Sequence, residues 1–264
     1  MDYFLLYLGL GVIVGILAGL LGVGGGAVIV PVLVFSFGAS GFSDAYIMQM
    51  ALGTSLASIM FTSLSSLRAH HQHGAVNWDV VKRITPGILV GTLCGALLAA
   101  MIPAKFLKVF FVVFLFYVAT QTLLNIKPHP ARQLPGSLGL FGVGSLIGMV
   151  SSWVGIGGGA LSVPFMVWCN IKMHQAIGTS SAIGFPIAIA GTVGYVLSGW
   201  HIAALPSQSL GFIYLPALAG LAMASIVFAP VGAKLAHRLP VAKLKKIFAV
   251  MLYLLGARML VSLF

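Results

Sequence analysis

The sequence predicts an all-α polytopic membrane protein built from two homologous halves with broken, glycine-rich helices and about 8 to 10 membrane segments. Three observations carry that expectation. Of 264 residues, 60% are hydrophobic and only 6% charged, against about 25% charged in an ordinary soluble domain. Apolar runs long enough to cross about 30 Å of hydrocarbon recur from end to end. The same motifs then appear twice, in the same order.

The apolar segments run over about 3–37, 45–67, 78–101, 104–125, 136–169, 175–198, 209–230 and 243–263. Between them lie turn and loop residues: Gly38 to Asp44, Arg68 to Trp78, Pro103, Lys127 to Pro135, Asn170 to His174, Trp200 to Gln208 and Ala233 to Pro240. These are rich in the glycine, proline and small polar residues that end regular structure. No interval is long enough for a soluble domain. Asp2 precedes the first segment with no basic residue ahead of it, so a cleaved signal peptide is not expected.

Residues 19–34, GLLGVGGGAVIVPVLV, align with 152–167, SWVGIGGGALSVPFMV, at an offset of 133. ALGTSLAS from Ala51 matches AIGTSSAI from Ala176 at an offset of 125. Pro86 pairs with Pro216, and Pro103 to Lys108 pairs with Pro240 to Lys245. The chain is therefore divided into an N-terminal repeat over 1–126, a linker over 127–135 and a C-terminal repeat over 136–264, forming one integrated membrane domain.

The first and fifth segments are too long for single spans, since about 34 helical residues would reach about 50 Å. Each contains the glycine cluster, which removes side chains and raises the entropy cost of a helix, so the break is expected there. Loop charge tests whether the chain also reverses. With eight crossings and the N-terminus outside, 8 Lys and Arg fall inside and 6 outside. With reversal at each glycine cluster, Arg68, Lys82, Arg83, Lys127, Arg132, Lys172, Lys234, Arg238, Lys243, Lys245 and Lys246 lie inside, 11 against 3. The positive-inside rule prefers the reversal. An odd number of crossings per half makes the repeats inverted about an axis in the membrane plane. The chain is then expected as a multi-pass protein of an inner membrane with periplasmic N- and C-termini.

The net charge of +11 raises nucleic acid as a partner, but those proteins gather their bases on one solvated face. Here the bases sit singly between apolar segments, so the expected partners are the lipid bilayer and a small anionic substrate, with no nucleic acid. A homo-oligomer is left open. Cys94 and Cys169 lie within apolar stretches and read as packing residues. In RAHHQHG, Arg68 to Gly74, His70 and His73 are three apart, but no Cys, Asp or Glu completes a shell. No metal and no cofactor are expected.

A helix that starts after a glycine break offers free N–H groups and the positive end of its dipole, which together favour an anion. The candidate substrate-binding residues are Gly24, Gly25 and Gly26 with Gly157, Gly158 and Gly159. The duplicated Gly-Thr-Ser adds neutral hydroxyl donors at Thr54 and Ser55 and at Thr179, Ser180 and Ser181. Close helix packing and hydrogen bonds back to the helix's own carbonyls are the competing roles for these residues. Apart from Arg258, no charged side chain is expected deep in the bilayer, which argues against the carboxylate relays of proton- and sodium-coupled carriers. Arg68, His70 and its repeat partner Tyr195 are expected along the pathway or at a gate. An intramembrane serine hydrolase using Ser40 of GASG, with His201 as base, is a weaker alternative, because that tetrapeptide lies in a turn and has no repeat counterpart. A non-transporting scaffold is another.

At the duplicated GxGGG-x-x-x-x-P and Ala-x-Gly-Thr-Ser, the chain resembles the sulfite exporter TauE/SafE family, also called the 4-toluene sulfonate uptake permease family. The resemblance covers essentially the whole length. It implies a bacterial inner-membrane carrier, with no ATPase domain of its own, for sulfite, sulfoacetate, other sulfonates or related organic anions. No catalytic residue is implied.

Overall fold

The computed structural model describes residues 2–21, 25–124, 131–236 and 241–263. Among them are ten helices: α1 (Asp2–Leu21), α2 (Gly26–Ala39), α3 (Ile47–Gln72), α4 (Trp78–Ala99), α5 (Ala104–Leu123), α6 (Ser137–Val154), α7 (Gly159–Trp168), α8 (Met173–Gly199), α9 (Leu215–Ala236) and α10 (Val241–Val261). α3, α4, α5, α6 and α8 are long and apolar enough to cross a membrane. The protein is a multi-pass membrane protein.

Each overlong segment is two helices. α2 has 14 residues and α7 has 10, about 21 and 15 Å, so neither crosses the hydrocarbon alone. The chain doubles back at both breaks. Ser36 Oγ on α2 donates to Tyr7 Oη on α1 at 3.0 Å, which places the end of α2 beside the start of α1. The amides of Ala131 and Arg132, just ahead of α6, donate to Trp168 O at the end of α7, at 3.1 and 3.2 Å. α3 runs on to Gln72, past the expected boundary, through His70 and His71. The seventh segment opens with a two-residue antiparallel hairpin, Ser209–Leu210 against Ile213–Tyr214, before α9 begins; Gly211, with φ of 56°, makes its turn.

α3 is the centre of the bundle. In its most apolar stretch 83% of residues are buried, against 39% for α5 and α6, whose Val113 and Leu146 face outward. α3 and α8 occupy matching places in the repeat and lie antiparallel: Gly53 meets Tyr195, Leu56 meets Gly191, Ser63 meets Gly184 and Ser66 meets Ser181. α5 and α10 form a second antiparallel pair of counterparts, with Phe116 against Tyr253 and Lys108 against Ser262.

Two further pairs are parallel and cross between halves. Gly87, Gly91 and Gly95 of α4 set their faces on the backbones of Phe141, Ser145 and Met149 of α6. Gly11 and Gly15 of α1 do the same on Leu221 and Ser225 of α9. Four-residue spacing stacks glycines along one helix face, and without side chains there the backbones close on each other. Each half thus packs its first helix against the fourth helix of the other.

Candidate functional site

The two breaks share one backbone geometry. Gly25, ahead of α2, has φ 72° and ψ −10°; Gly158, ahead of α7, has φ 76° and ψ −9°. This left-handed conformation costs an L-residue about 1–2 kcal/mol and costs glycine nothing. Gly25 O accepts from Val28 and Ile29, and Gly158 O accepts from Leu161 and Ser162. Neither start has a side-chain cap. The amides of Gly26, Ala27, Gly159 and Ala160 therefore have no partner within their own helices. Gly26, Ala27 and Gly159 are buried.

The breaks meet each other. Gly26 lies against Gly155 O and Ile156, so closely that a Cβ there would overlap the carbonyl oxygen. Gly26 and Gly157 both touch Ile59, and Gly157 lies beside Gly184. Ile59 and Gly184 sit near the middles of α3 and α8, so the two glycine clusters converge at mid-length of the central helix pair. Gly24 lies outside the described residues.

The hydroxyls of the duplicated Gly-Thr-Ser are engaged in the packing. Thr54 Oγ1 accepts from Tyr214 N at 3.0 Å, just ahead of α9. Thr179 Oγ1 accepts from Asn77 N at 2.9 Å, just ahead of α4. Each threonine thereby holds the loop of the opposite half. Ser55 Oγ donates to Gly155 O at 2.8 Å, tying α3 to the second break. Ser180 accepts from Ser162 of α7 at 2.8 Å. Ser181 donates to Ile177 O at 3.1 Å and accepts from Ser66 at 3.2 Å.

The expected pathway residues are spread out. Arg68 is exposed near the end of α3, and His70, two residues on, is half-buried close to His73 and His174. Tyr195 is fully buried against Gly53, with its hydroxyl donating to Ser152 O at 3.0 Å. Ser40 Oγ donates to Ser36 O at 2.8 Å, a bond back into α2.

Two hydroxyls that the repeat did not single out are Ser151, at the second break, and Ser58, one turn along α3 from Ser55. Ser151 and Ser58 are fully buried, and neither Oγ has a hydrogen-bond partner among the described residues. Ser151, in the last turn of α6, holds the loop with its backbone, since its carbonyl accepts from Ile156 N at 3.2 Å. Its Oγ is 3.6 Å from where a Cβ on Gly158 would stand. Ser58 lies three residues beyond Ser55, on the same face of α3. Their repeat counterparts are Ala18 and Ile183, so a search for duplicated polar residues passes over both. A buried polar side chain with no partner was the available signal, and only packing reveals it.

Lys105, Lys108 and Arg258, the three cations expected outside on loop charge, gather at the far end of α2. Lys105 and Lys108 line a cavity of about 410 Å³ with Asp44, Val34 and Gly38. Arg258 sits over the Phe35 ring at 4.8 Å. At the matching end of α7, Arg132 sits over Trp168 at 5.0 Å. Phe35 and Trp168 occupy the same position in the repeat, so a guanidinium rests on the matching aromatic ring of each short helix.

A family model described as "Sulfite exporter TauE/SafE" matches residues 7–259. A probable membrane transporter protein of Haemophilus influenzae is 37% identical over 260 residues, covering 98% of each chain. A probable membrane transporter protein of Methanocaldococcus jannaschii is 27% identical, over 95% of this chain and 92% of its own. The probable membrane transporter protein YunE of Bacillus subtilis is 27% identical over 74% of this chain and 79% of its own. No solved structure is a significant match.

Proposed function

The chain belongs to the sulfite exporter TauE/SafE family, and from that premise we propose a secondary transporter or facilitator that moves a small anion across the bacterial inner membrane. Sulfite, a sulfonate or a related organic anion is the substrate class. The observation that carries the proposal is the convergence of two buried, uncapped helix starts at mid-length of α3 and α8. Helix starts inside a bundle bind anions because amide hydrogens and dipoles point at the solute with no cation present. No Asp, Glu, Lys, Arg or His falls within 3–43, 45–67 or 136–171, so neutral groups do the binding.

The two halves form an inverted repeat, with both termini on the periplasmic side. Antiparallel pairing of α3 with α8 and of α5 with α10, each helix beside its own counterpart, supports that arrangement. Alternating access then moves one half against the other around the glycine breaks, with the threonine contacts between halves as the joints. Gly24, Gly25, Gly26, Gly157, Gly158 and Gly159 supply amides; Ser55, Ser180 and Ser181 position the breaks or turn toward the solute as the halves move. Arg68 and His70 border the inner mouth.

Efflux of a sulfonate from proteoliposomes tests this. Gly25→Leu and Gly158→Leu proteins should insert in normal amount and show background flux. Wild-type flux in both variants would remove the breaks from the transport path.

A further inference from the structure

The repeat makes the two helix starts look equivalent, but their surroundings differ. Ser151 beside the second break is matched by Ala18 in the first half, and the first residue of α2, Gly26, abuts a carbonyl, Gly155 O, which already accepts from Ser55. An acceptor oxygen repels an anion. The start of α7 instead adjoins Ser151 Oγ, fully buried and without a partner among the described residues. That hydroxyl has a proton to donate. The other groups nearest Gly158 are the apolar Ile147 and Ile187.

We propose that the anion is held asymmetrically, by the free amides at the start of α7 together with Ser151 Oγ, and that the site selects singly charged oxyanions over doubly charged ones. This deepens the transport reading above and rests on it. The selectivity follows from the donors. A few neutral N–H and O–H groups between two isoleucines can replace the hydration of one delocalised charge. The solvation lost on burial grows steeply with charge, and a buried divalent ion needs a paired cation or metal. No Lys or Arg lies in the segments that form the site. Hydrogensulfite and simple sulfonates fit this chemistry; sulfate and the fully ionised sulfite ion do not.

Methanesulfonate and sulfate are tetrahedral, similar in size and differ by one charge, so they are the probes. Calorimetric titration of the purified protein at fixed ionic strength should show methanesulfonate binding and sulfate at least about tenfold weaker. Ser151→Ala should weaken methanesulfonate by about tenfold, the loss expected for one hydrogen bond to a charged group. Ser198→Ala, which removes another buried Oγ without a partner near the end of α8, should leave binding unchanged and reports any general effect of such a truncation. Equal affinity for the two anions would overturn the charge selectivity. Unchanged binding in Ser151→Ala, or equal losses in both variants, would overturn the assignment of that hydroxyl. Methanesulfonate binding lost in Gly25→Leu but kept in Gly158→Leu would move the anion to α2. Binding of neither anion, together with no sulfonate flux, would instead defeat the transport reading itself.

Discussion

Gly25 and Gly158 share a backbone conformation that an L-side chain resists, and that makes them separable from glycines that serve only packing. Gly25→Ala and Gly158→Ala should each cost about 1–2 kcal/mol of stability from backbone strain, measured as a loss of thermal stability in detergent. In Gly158→Ala the new Cβ also meets the tip of the Ile187 side chain, which has to turn aside. Thr54 and Thr179 make a different prediction. Each oxygen accepts a backbone N–H from the opposite half, and replacing it with valine leaves that amide unsatisfied. Thr54→Val and Thr179→Val should each destabilise by about 1–3 kcal/mol, in thermal unfolding of the purified protein. The sequence marked these threonines as solute donors. The structure shows their oxygens also accepting between the halves, a contact that side-chain type alone cannot reveal and that does not use the hydroxyl proton.

At the scale of elements, the short helices were legible because two lines of sequence information agreed. Segment length required a break within 3–37 and within 136–169, and loop charge preferred a reversal. Both occur. The hairpin at 209–214 was not legible, since its residues are apolar and continue the hydropathy of α9 without a boundary. The partners of the helices were equally hidden. Nothing in the repeat says that α1 should seek α9, or α4 seek α6; the glycine rows supply the reason only once they are placed face to face. Gly91→Leu tests that contact: the new side chain must enter the backbone of Ser145, so folded protein recovered from membranes should fall sharply. Val90→Leu, one residue away, is the comparison, because Val90 is exposed and that variant should express normally.

For the whole molecule, two antiparallel pairs of counterparts and two crossed pairs make each half depend on the other. This explains why the duplication was readable from aligned motifs while the site was not. Symmetry located the glycines, and departures from symmetry, Ser151 against Ala18 and Ser58 against Ile183, placed the unpaired donors. The arrangement also predicts sidedness. With Cys94 and Cys169 changed to Ala, Asp44→Cys should react with an impermeant maleimide from the periplasm and Arg83→Cys only after permeabilisation. Labelling of both from one side would rule out the inverted arrangement.

Whether the start of α7 holds a dehydrated anion in the middle of the bundle is read straight from anomalous diffraction by crystals soaked in bromide, a singly charged scatterer. A peak beside the amides of Gly159 and Ala160 and the Ser151 hydroxyl is the predicted result. Bromide confined to the cavity at Lys105 and Lys108, with none at the glycine breaks, would contradict it.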